Sequence, residues 1–132
     1  MNIYILRHGI AIERGASGYK TDADRPLTAE GERKLRLVAR AIKAMELDFD
    51  VLLSSPYLRA RQTAEVVAAA LALRKELDFT DSLAPNGSTR RLVALLGGLV
   101  PPPGDILLVG HEPYLSGLIS LLVSGRESFA VV

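Results

Sequence analysis

The sequence predicts an α/β fold, a three-layer sandwich with a mostly parallel central sheet and helices on both faces. Three observations predict it. First, Ile3–Leu6, Val51–Leu53 and Ile106–Val109 are short apolar runs without helical period, the pattern of strands buried on both faces. Second, helical patterns separate these runs, and strands alternating with helices build parallel sheets covered on both sides. Third, each run gives way at once to polar residues: Arg7-His8-Gly9, Ser54-Ser55-Pro56 and Gly110-His111-Glu112-Pro113. Folds of this class bind ligands beyond the carboxyl ends of their strands.

The helices follow in order. Thr28 is a good N-cap, and Leu35, Val38, Ala39, Ile42 and Met45 follow it at helical spacing. A second helix is predicted from about Leu58 to Leu71, with Ala60, Ala64, Val67, Ala68 and Leu71 on one face. Its small side chains suit close packing on a sheet. A third runs from Ser88 to Leu96, turning Leu92, Leu95 and Leu96 inward, and Gly97-Gly98 stops it. The last starts after Pro113, a favoured first-turn residue, with Leu115, Leu118, Ile119 and Leu122 inward. Leu77–Phe79 carries a weaker strand signal. Gly15–Pro26 and Pro101–Gly104 read as loops, the former long enough to border a pocket.

Composition sets the class. A chain of 132 residues fits one domain, 1–132, and at that size roughly two-thirds of the unfolded surface can be buried. The 48% hydrophobic and 23% charged content is that of a soluble globular protein. Without cysteine there is no disulfide framework, no thiolate nucleophile and no zinc–sulfur site. Sixteen basic residues against fifteen acidic ones, with 5% aromatics and no tryptophan, argue against a nucleic-acid partner or a membrane patch. Met1–Leu6 is apolar but too short for a signal peptide, and no stretch reaches the ~20 apolar residues of a membrane helix. A cytoplasmic monomer is expected.

The chemistry is concentrated at the strand ends. Phosphoryl transfer without a metal needs guanidinium clamps that bind two oxygens at once. It also needs an in-line nucleophile, for which neutral imidazole is competent. Backbone N–H groups and helix N-termini aimed at the equatorial oxygens help. Both histidines of the chain, His8 and His111, directly follow predicted strands. Arg7 precedes the first, and Gly9 after it lets backbone approach a phosphate. Arg59 lies on the first turn of the second helix, where side chain and helix dipole address the same region. Gln62 and Thr63 share its face and Arg61 does not. Singly, each is an ordinary turn or surface residue; at three strand ends together they describe a reacting centre. The two histidines lack matching carboxylates and adjoin cations, a poor divalent-metal site. No metal and no cofactor are expected.

Three blocks, Leu6-Arg7-His8-Gly9, Ser54-Ser55-Pro56-Tyr57-Leu58-Arg59-Ala60-Arg61-Gln62-Thr63-Ala64 and Val109-Gly110-His111-Glu112-Pro113, give the chain a resemblance to the histidine phosphatase superfamily, whose fold is phosphoglycerate mutase-like. Within it, short length and the block Arg25-Pro26-Leu27-Thr28-Ala29-Glu30-Gly31 resemble the SixA-type phosphohistidine phosphatases, which lack a helical cap domain. The resemblance implies His8 as a nucleophile forming a phosphohistidine intermediate, with Arg7, Arg59 and His111 around the phosphoryl group. It implies Gly9 and Arg25 as substrate-binding residues. The implied function is a metal-independent phosphatase removing phosphate from phosphohistidine in proteins, since an uncapped, shallow site suits a phosphorylated protein surface. The alternatives are a phosphatase of small phosphate esters and a non-catalytic phosphate-recognition module. A mutase would need an enclosed site that excludes water. For a general acid the candidates are Asp81 and Glu112, and no motif singles out either. Phe129-Ala130-Val131-Val132 reads as the start of another strand; relatives continue with one or two more strands there, so the resemblance implies either that the sheet lacks C-terminal strands or that the natural C-terminus lies further on.

Overall fold

Among the described residues four parallel strands build the sheet in the order β1-β4-β2-β3, where β1 is Asn2–Arg7, β2 is Val51–Ser54, β3 is Leu77–Phe79 and β4 is Asp105–Gly110. The structure is a computed structural model that describes residues 1–126. Helices α1 (Ala29–Ala44), α2 (Leu58–Ala70), α3 (Thr89–Gly97) and α4 (Tyr114–Ser124) alternate with the strands, and three short 3-10 turns lie at Asp22–Asp24, Arg74–Glu76 and Asp81–Leu83. The α/β sandwich is as the sequence predicts, with Leu77–Phe79 a true edge strand. Among the described residues no helical cap covers the carboxyl ends of the strands. The expected strand at Phe129–Val132 lies outside the described residues.

Alternation along β4 builds the two layers of core. Leu107 and Val109 face one way and meet Leu52, Ala60, Ala64, Val67, Ala68 and Ala39, so α1 and α2 cover that side. Ile106 and Leu108 face the other way and meet Leu53, Leu92, Leu96, Leu115 and Leu118, which puts α3 and α4 there. A strand buried on both faces cannot show polar alternation, which is why these runs read as continuous apolar segments. The alanines of α2 let it lie close to the sheet, and Ala60, Ala64 and Ala68 are fully buried.

The helix stripes are narrower than the sequence predicts. Leu35 and Ala39 of α1 are buried, but Val38 and Met45 are exposed, Met45 at 65%. Val38 lies off the row through Leu35, Ala39 and Ile42, and Met45 is already the C-cap. Leu95 of α3 is likewise exposed, beside the buried pair Leu92 and Leu96. Leu122 of α4 is exposed too, near the β1 edge of the sheet, where it lines a surface groove with Met1 and Ile3. Pro113 stands at the N-cap of α4 rather than in its first turn.

One junction fixes the front of the molecule. The Thr28 hydroxyl accepts a hydrogen bond from Gly31 N (2.9 Å) and caps α1, while Thr28 N donates to Ile10 O (2.9 Å). The helix start therefore presses on the segment that follows His8. A Cβ on Gly31 would lie 2.2 Å from Ile10 O, a backbone atom that cannot swing aside. Alanine would gain about 1 kcal/mol of helix propensity, but overpacking of this kind costs about 1–3 kcal/mol and moves backbone. Gly31→Ala is therefore expected to lower the midpoint of urea unfolding. A midpoint equal to the parent's would show that α1 retreats freely.

Candidate active site

Register brings the strand ends to one level. Arg7 pairs with Gly110 and Ser54 with Val109, and the ladder runs one step further: His8 N donates to Gly110 O and Ser55 N to Val109 O, both at 3.0 Å. His8, Ser55 and His111 thus leave the sheet side by side. The two imidazole centroids are 5.1 Å apart. Both rings line a cavity of ≈ 500 Å³ whose wall also includes Arg7, Gly9, Arg25 and Arg59. All six residues singled out from the sequence are brought together there.

The proton positions on His8 follow from its contacts. Nδ1 lies 2.7 Å from Gly9 O. A carbonyl only accepts, so Nδ1 carries the proton and Nε2 keeps its lone pair. Arg59 Nε donates to that Nε2 at 3.3 Å. Burial is the largest influence lowering the His8 pKa below 6.5, and Arg59, Arg7 and Arg25 add to it against the opposing bond to Gly9 O. The ring is held neutral with Nε2 toward the arginines.

Arg59 is 3% exposed, and a buried guanidinium must be paired. Its partner is Asp22: the Arg59 terminal nitrogens donate to Asp22 O (2.7 Å) and Asp22 Oδ2 (3.0 Å). Arg25 donates to the other carboxylate oxygen, Asp22 Oδ1, through Nε (2.8 Å) and a terminal nitrogen (2.6 Å). One carboxylate therefore braces both guanidinium groups. Its partial burial alone would raise the carboxyl pKa, but the hydrogen bonds and charges of Arg25 and Arg59 outweigh this and hold it low. The Arg59 guanidinium also lies 5.3 Å from the Tyr57 ring centroid, within cation–π range. The Arg7 side chain has no hydrogen-bond or ion-pair partner among the described residues, while it lines the cavity.

The backbone around the site is tied by α2. Gly9 N donates to Thr63 Oγ1 (3.1 Å), whose own hydroxyl donates to Arg59 O (2.7 Å). Leu27 N donates to Gln62 Oε1 at 2.8 Å, which holds the segment after Arg25 against the same helix. Arg61 faces outward as expected and pairs with Glu65 on the surface.

His111 is 2% exposed. Its Nε2 lies 2.8 Å from Ser55 Oγ, and its Nδ1 has no hydrogen-bond partner among the described residues. Burial first, then Arg59 and the neighbouring His8, push its pKa down to about 3. Of the two carboxylates considered as general acids, Glu112 lines the cavity and accepts from Ser116 Oγ (2.6 Å). Asp81 sits in a 3-10 turn and is not part of the cavity wall. Among the described residues no group of three or more His, Asp or Glu side chains could hold a metal ion, and no helix is long and apolar enough to cross a membrane.

Sequence reasoning missed Asp22, Ser55 and Arg14. Asp22 stands three residues before Arg25, a spacing at which opposite charges meet in one helical turn; that was the available signal. Ser55 belongs to the motif around the second strand but carries no mark of its pairing with a residue 56 positions later. Arg14 lines the cavity from the loop, 81% exposed, with Asp22 at 3.8 Å.

Comparison with known proteins agrees with this geometry. A family model for the histidine phosphatase superfamily, branch 1, matches residues 3–84. The phosphohistidine phosphatase SixA of Escherichia coli K12 is 33% identical over 127 residues, covering 96% of this chain and 76% of the relative. An uncharacterized protein of Picosynechococcus sp. is 41% identical over 127 residues, covering 96% of this chain and 75% of that one. Among solved structures, the protein histidine phosphatase SixA complexed with tungstate superposes with a TM-score of 0.84 at 29% identity, covering 100% of this chain and 83% of that chain. With the family model spanning more than half its length, and the histidine–arginine cluster standing where three parallel strands end, the chain belongs to the histidine phosphatase superfamily.

Proposed function

We propose that the protein is a phosphohistidine phosphatase that works through a phosphorylated His8. The observation that carries this reading is the His8 ring itself: Nδ1 is committed to Gly9 O, and Nε2 faces Arg59 inside an arginine-lined cavity. In the first step Nε2 attacks phosphorus in line, a P–N bond to His8 forms, and the bond to the leaving imidazole breaks. A substrate ring protonated on its other nitrogen departs neutral. In the second step water attacks the phosphoryl group, the bond to His8 Nε2 breaks, and inorganic phosphate leaves. Arg7, Arg25 and Arg59 neutralise the charge spread over the phosphoryl oxygens, as guanidinium groups do best. His111 offers a ring donor, while both backbone polar groups of Gly9 are engaged within the fold and fix the wall beside His8.

The substrate class is argued from the wall of the site. Among the described residues no cap encloses the cavity and Glu112 is the only lining carboxylate, which fits a leaving imidazole, since it needs less acid assistance than an alkoxide. The similarity to SixA, a phosphohistidine phosphatase, supports the same substrate group. Hydrolysis of small phosphate esters is the second reading, and Glu112 in the cavity wall favours it, as a carboxyl placed to protonate a leaving oxygen.

An assay of release from a phosphohistidine peptide and from a panel of phosphate esters separates the two readings. His8→Ala is expected to abolish turnover of both with an unchanged circular dichroism spectrum, and Arg59→Ala to lower kcat by about 10²–10³. A fully active His8→Ala protein, or loss of activity in EDTA, would overturn the mechanism.

Asp22 acts here through the arginines it braces. Asp22→Asn removes the charge that holds Arg25 and Arg59, and misplacement of such clamps costs on the order of 10² in rate. The expected outcome is a fall in kcat/KM larger than that from Arg14→Ala; equal kcat/KM in Asp22→Asn and parent would remove Asp22 from the site.

The histidine pKa values fix the pH behaviour. Both are lowered, so each ring takes up its proton at a lower pH in the native state than in the unfolded chain. The unfolded state then binds more protons, and stability falls as the pH drops. For His111 that window runs from about 6.5 down to about 3. NMR titration of the two ring systems is expected to place both midpoints below 6.5, His111 far lower. A His111 midpoint at or above 6.5 would contradict the burial argument.

A further inference from the structure

We propose that Ser55 is a positioning residue that sets the tautomer of His111, leaving the Nδ1 proton as the donor offered to a phosphoryl oxygen. The proposal rests on the reading of His111 as a phosphoryl ligand and goes beyond it, naming which nitrogen donates and what makes it do so.

The argument is an accounting of protons. Ser55 is fully buried. Its Oγ accepts a hydrogen bond from Tyr57 N at 3.2 Å and lies 2.8 Å from His111 Nε2. A hydroxyl has one proton and two lone pairs. Suppose first that His111 carries its proton on Nε2 and donates to Ser55. Both lone pairs of Oγ are then used, the hydroxyl proton has no acceptor among the described residues, and Nδ1 is a bare acceptor without a donor. Two buried polar groups are left unmatched.

Now let Ser55 donate to Nε2. The hydroxyl proton is placed, Tyr57 N keeps its acceptor, and one group remains unmatched, the N–H at Nδ1. That remainder is the useful one. The His111 ring lines the cavity beside His8, with Nδ1 itself covered; an oxyanion that reaches Nδ1 has lone pairs for an N–H but is repelled by a bare ring nitrogen. Burial among cations keeps the ring neutral, so the two nitrogens differ and the tautomer matters. The backbone fixes the hydroxyl in turn: Ser55 N is bonded to Val109 O at the end of the ladder, and Tyr57 N holds Oγ from the entrance to α2.

The same logic operates on His8, where Gly9 O leaves no choice of tautomer. His8 needs its proton on Nδ1 so that Nε2 is free to attack; His111 needs its proton on Nδ1 so that it can donate. Two unrelated acceptors and donors, a backbone carbonyl and a serine hydroxyl, deliver the same tautomer for opposite purposes.

The test is a two-bond 15N–1H correlation spectrum of the wild-type protein labelled at histidine, at neutral pH. The chain has two histidines, and His8→Ala assigns them. The expected result is that His111 is protonated on Nδ1 and bare on Nε2, and that tungstate shifts the Nδ1 resonance. Ser55→Ala is expected to move His111 toward the Nε2-protonated form and to weaken tungstate binding by about tenfold, the lower end for loss of an orienting partner, while Ser55→Thr, which keeps the hydroxyl, retains the wild-type tautomer. A wild-type His111 protonated on Nε2 overturns the proposal whatever the variants do, and so does a Ser55→Ala protein that keeps the Nδ1 tautomer. If instead the tautomer is as expected but tungstate shifts neither ring in the wild type, it is the reading of the pocket as a phosphoryl site that fails, and the donor role falls with it.

Discussion

The position of everything at the front of this molecule depends on the pairing of β1 and β2 to opposite sides of β4. Because all three strands are parallel and in register, their last residues end at one height. Two further backbone bonds, His8 N to Gly110 O and Ser55 N to Val109 O, carry the ladder past the strands. A one-residue slip of β1 would turn His8 away from the cavity, because side chains alternate across a strand. The register is held by burial: Ile106, Leu107, Leu108 and Val109 are packed on both faces, and a slip would cross-match both layers of core at once. The hydrophobic middle of the sheet therefore sets the distance between the two imidazoles.

The second requirement is electrostatic. Arg59 is nearly inaccessible, and an unpaired cation at that depth would be strongly destabilising. The Asp22–Asp24 turn answers it by bringing a carboxylate and a backbone carbonyl to the guanidinium, and the same carboxylate holds Arg25. The loop is thus anchored by the charge it compensates. Arg59 has five N–H donors, and the contacts to Asp22 and His8 engage three of them. The remaining capacity, with the unpartnered Arg7 side chain, is what an oxyanion would meet. A fully compensated arginine cluster would have no affinity for a dianion, and an uncompensated one would resist folding. Asp22 sets the balance between them.

How much of this was legible in the sequence follows from where each signal lives. The strands were legible because burial on both faces leaves an unbroken apolar run, and the polar residues after each run stand out against it. His8, Arg7, Arg59 and His111 were found for that reason, and the sheet carries them to one cavity. The helix faces were legible only in part. Val38 and Met45 fit the period but fall outside the contact row, since the seam between α1 and α2 is set by small residues such as Ala39 and Ala64 and needs no wide apolar stripe; Leu95 of α3 and Leu122 of α4 fit the period and are exposed as well. Ser55 was not legible, because its partner lies 56 positions away, and of the contacts of Asp22 only the pairing with Arg25 three residues on left a signal, the bond to Arg59 spanning 37 positions. Sequence patterns report local structure and burial; a hydrogen bond across the fold leaves no trace in either.

The same charges that make the cavity attractive to an anion also keep its two histidines neutral. Arg59 disfavours the imidazolium form of both rings, and each ring's burial acts in the same sense. A dianion placed between the arginines reverses the sign of the local charge, and an opposite charge at that distance favours protonation. Until an anion arrives, the lowered pKa keeps Nε2 of His8 unprotonated. In the proposed mechanism attack would remove that lone pair by bonding it to phosphorus, so the rise in proton affinity would come too late to compete at His8. At His111 nothing consumes the ring, and its affinity for a second proton rises with the anion bound. A single arrangement of arginines thus gives the two histidines the same resting state and different fates once the pocket fills.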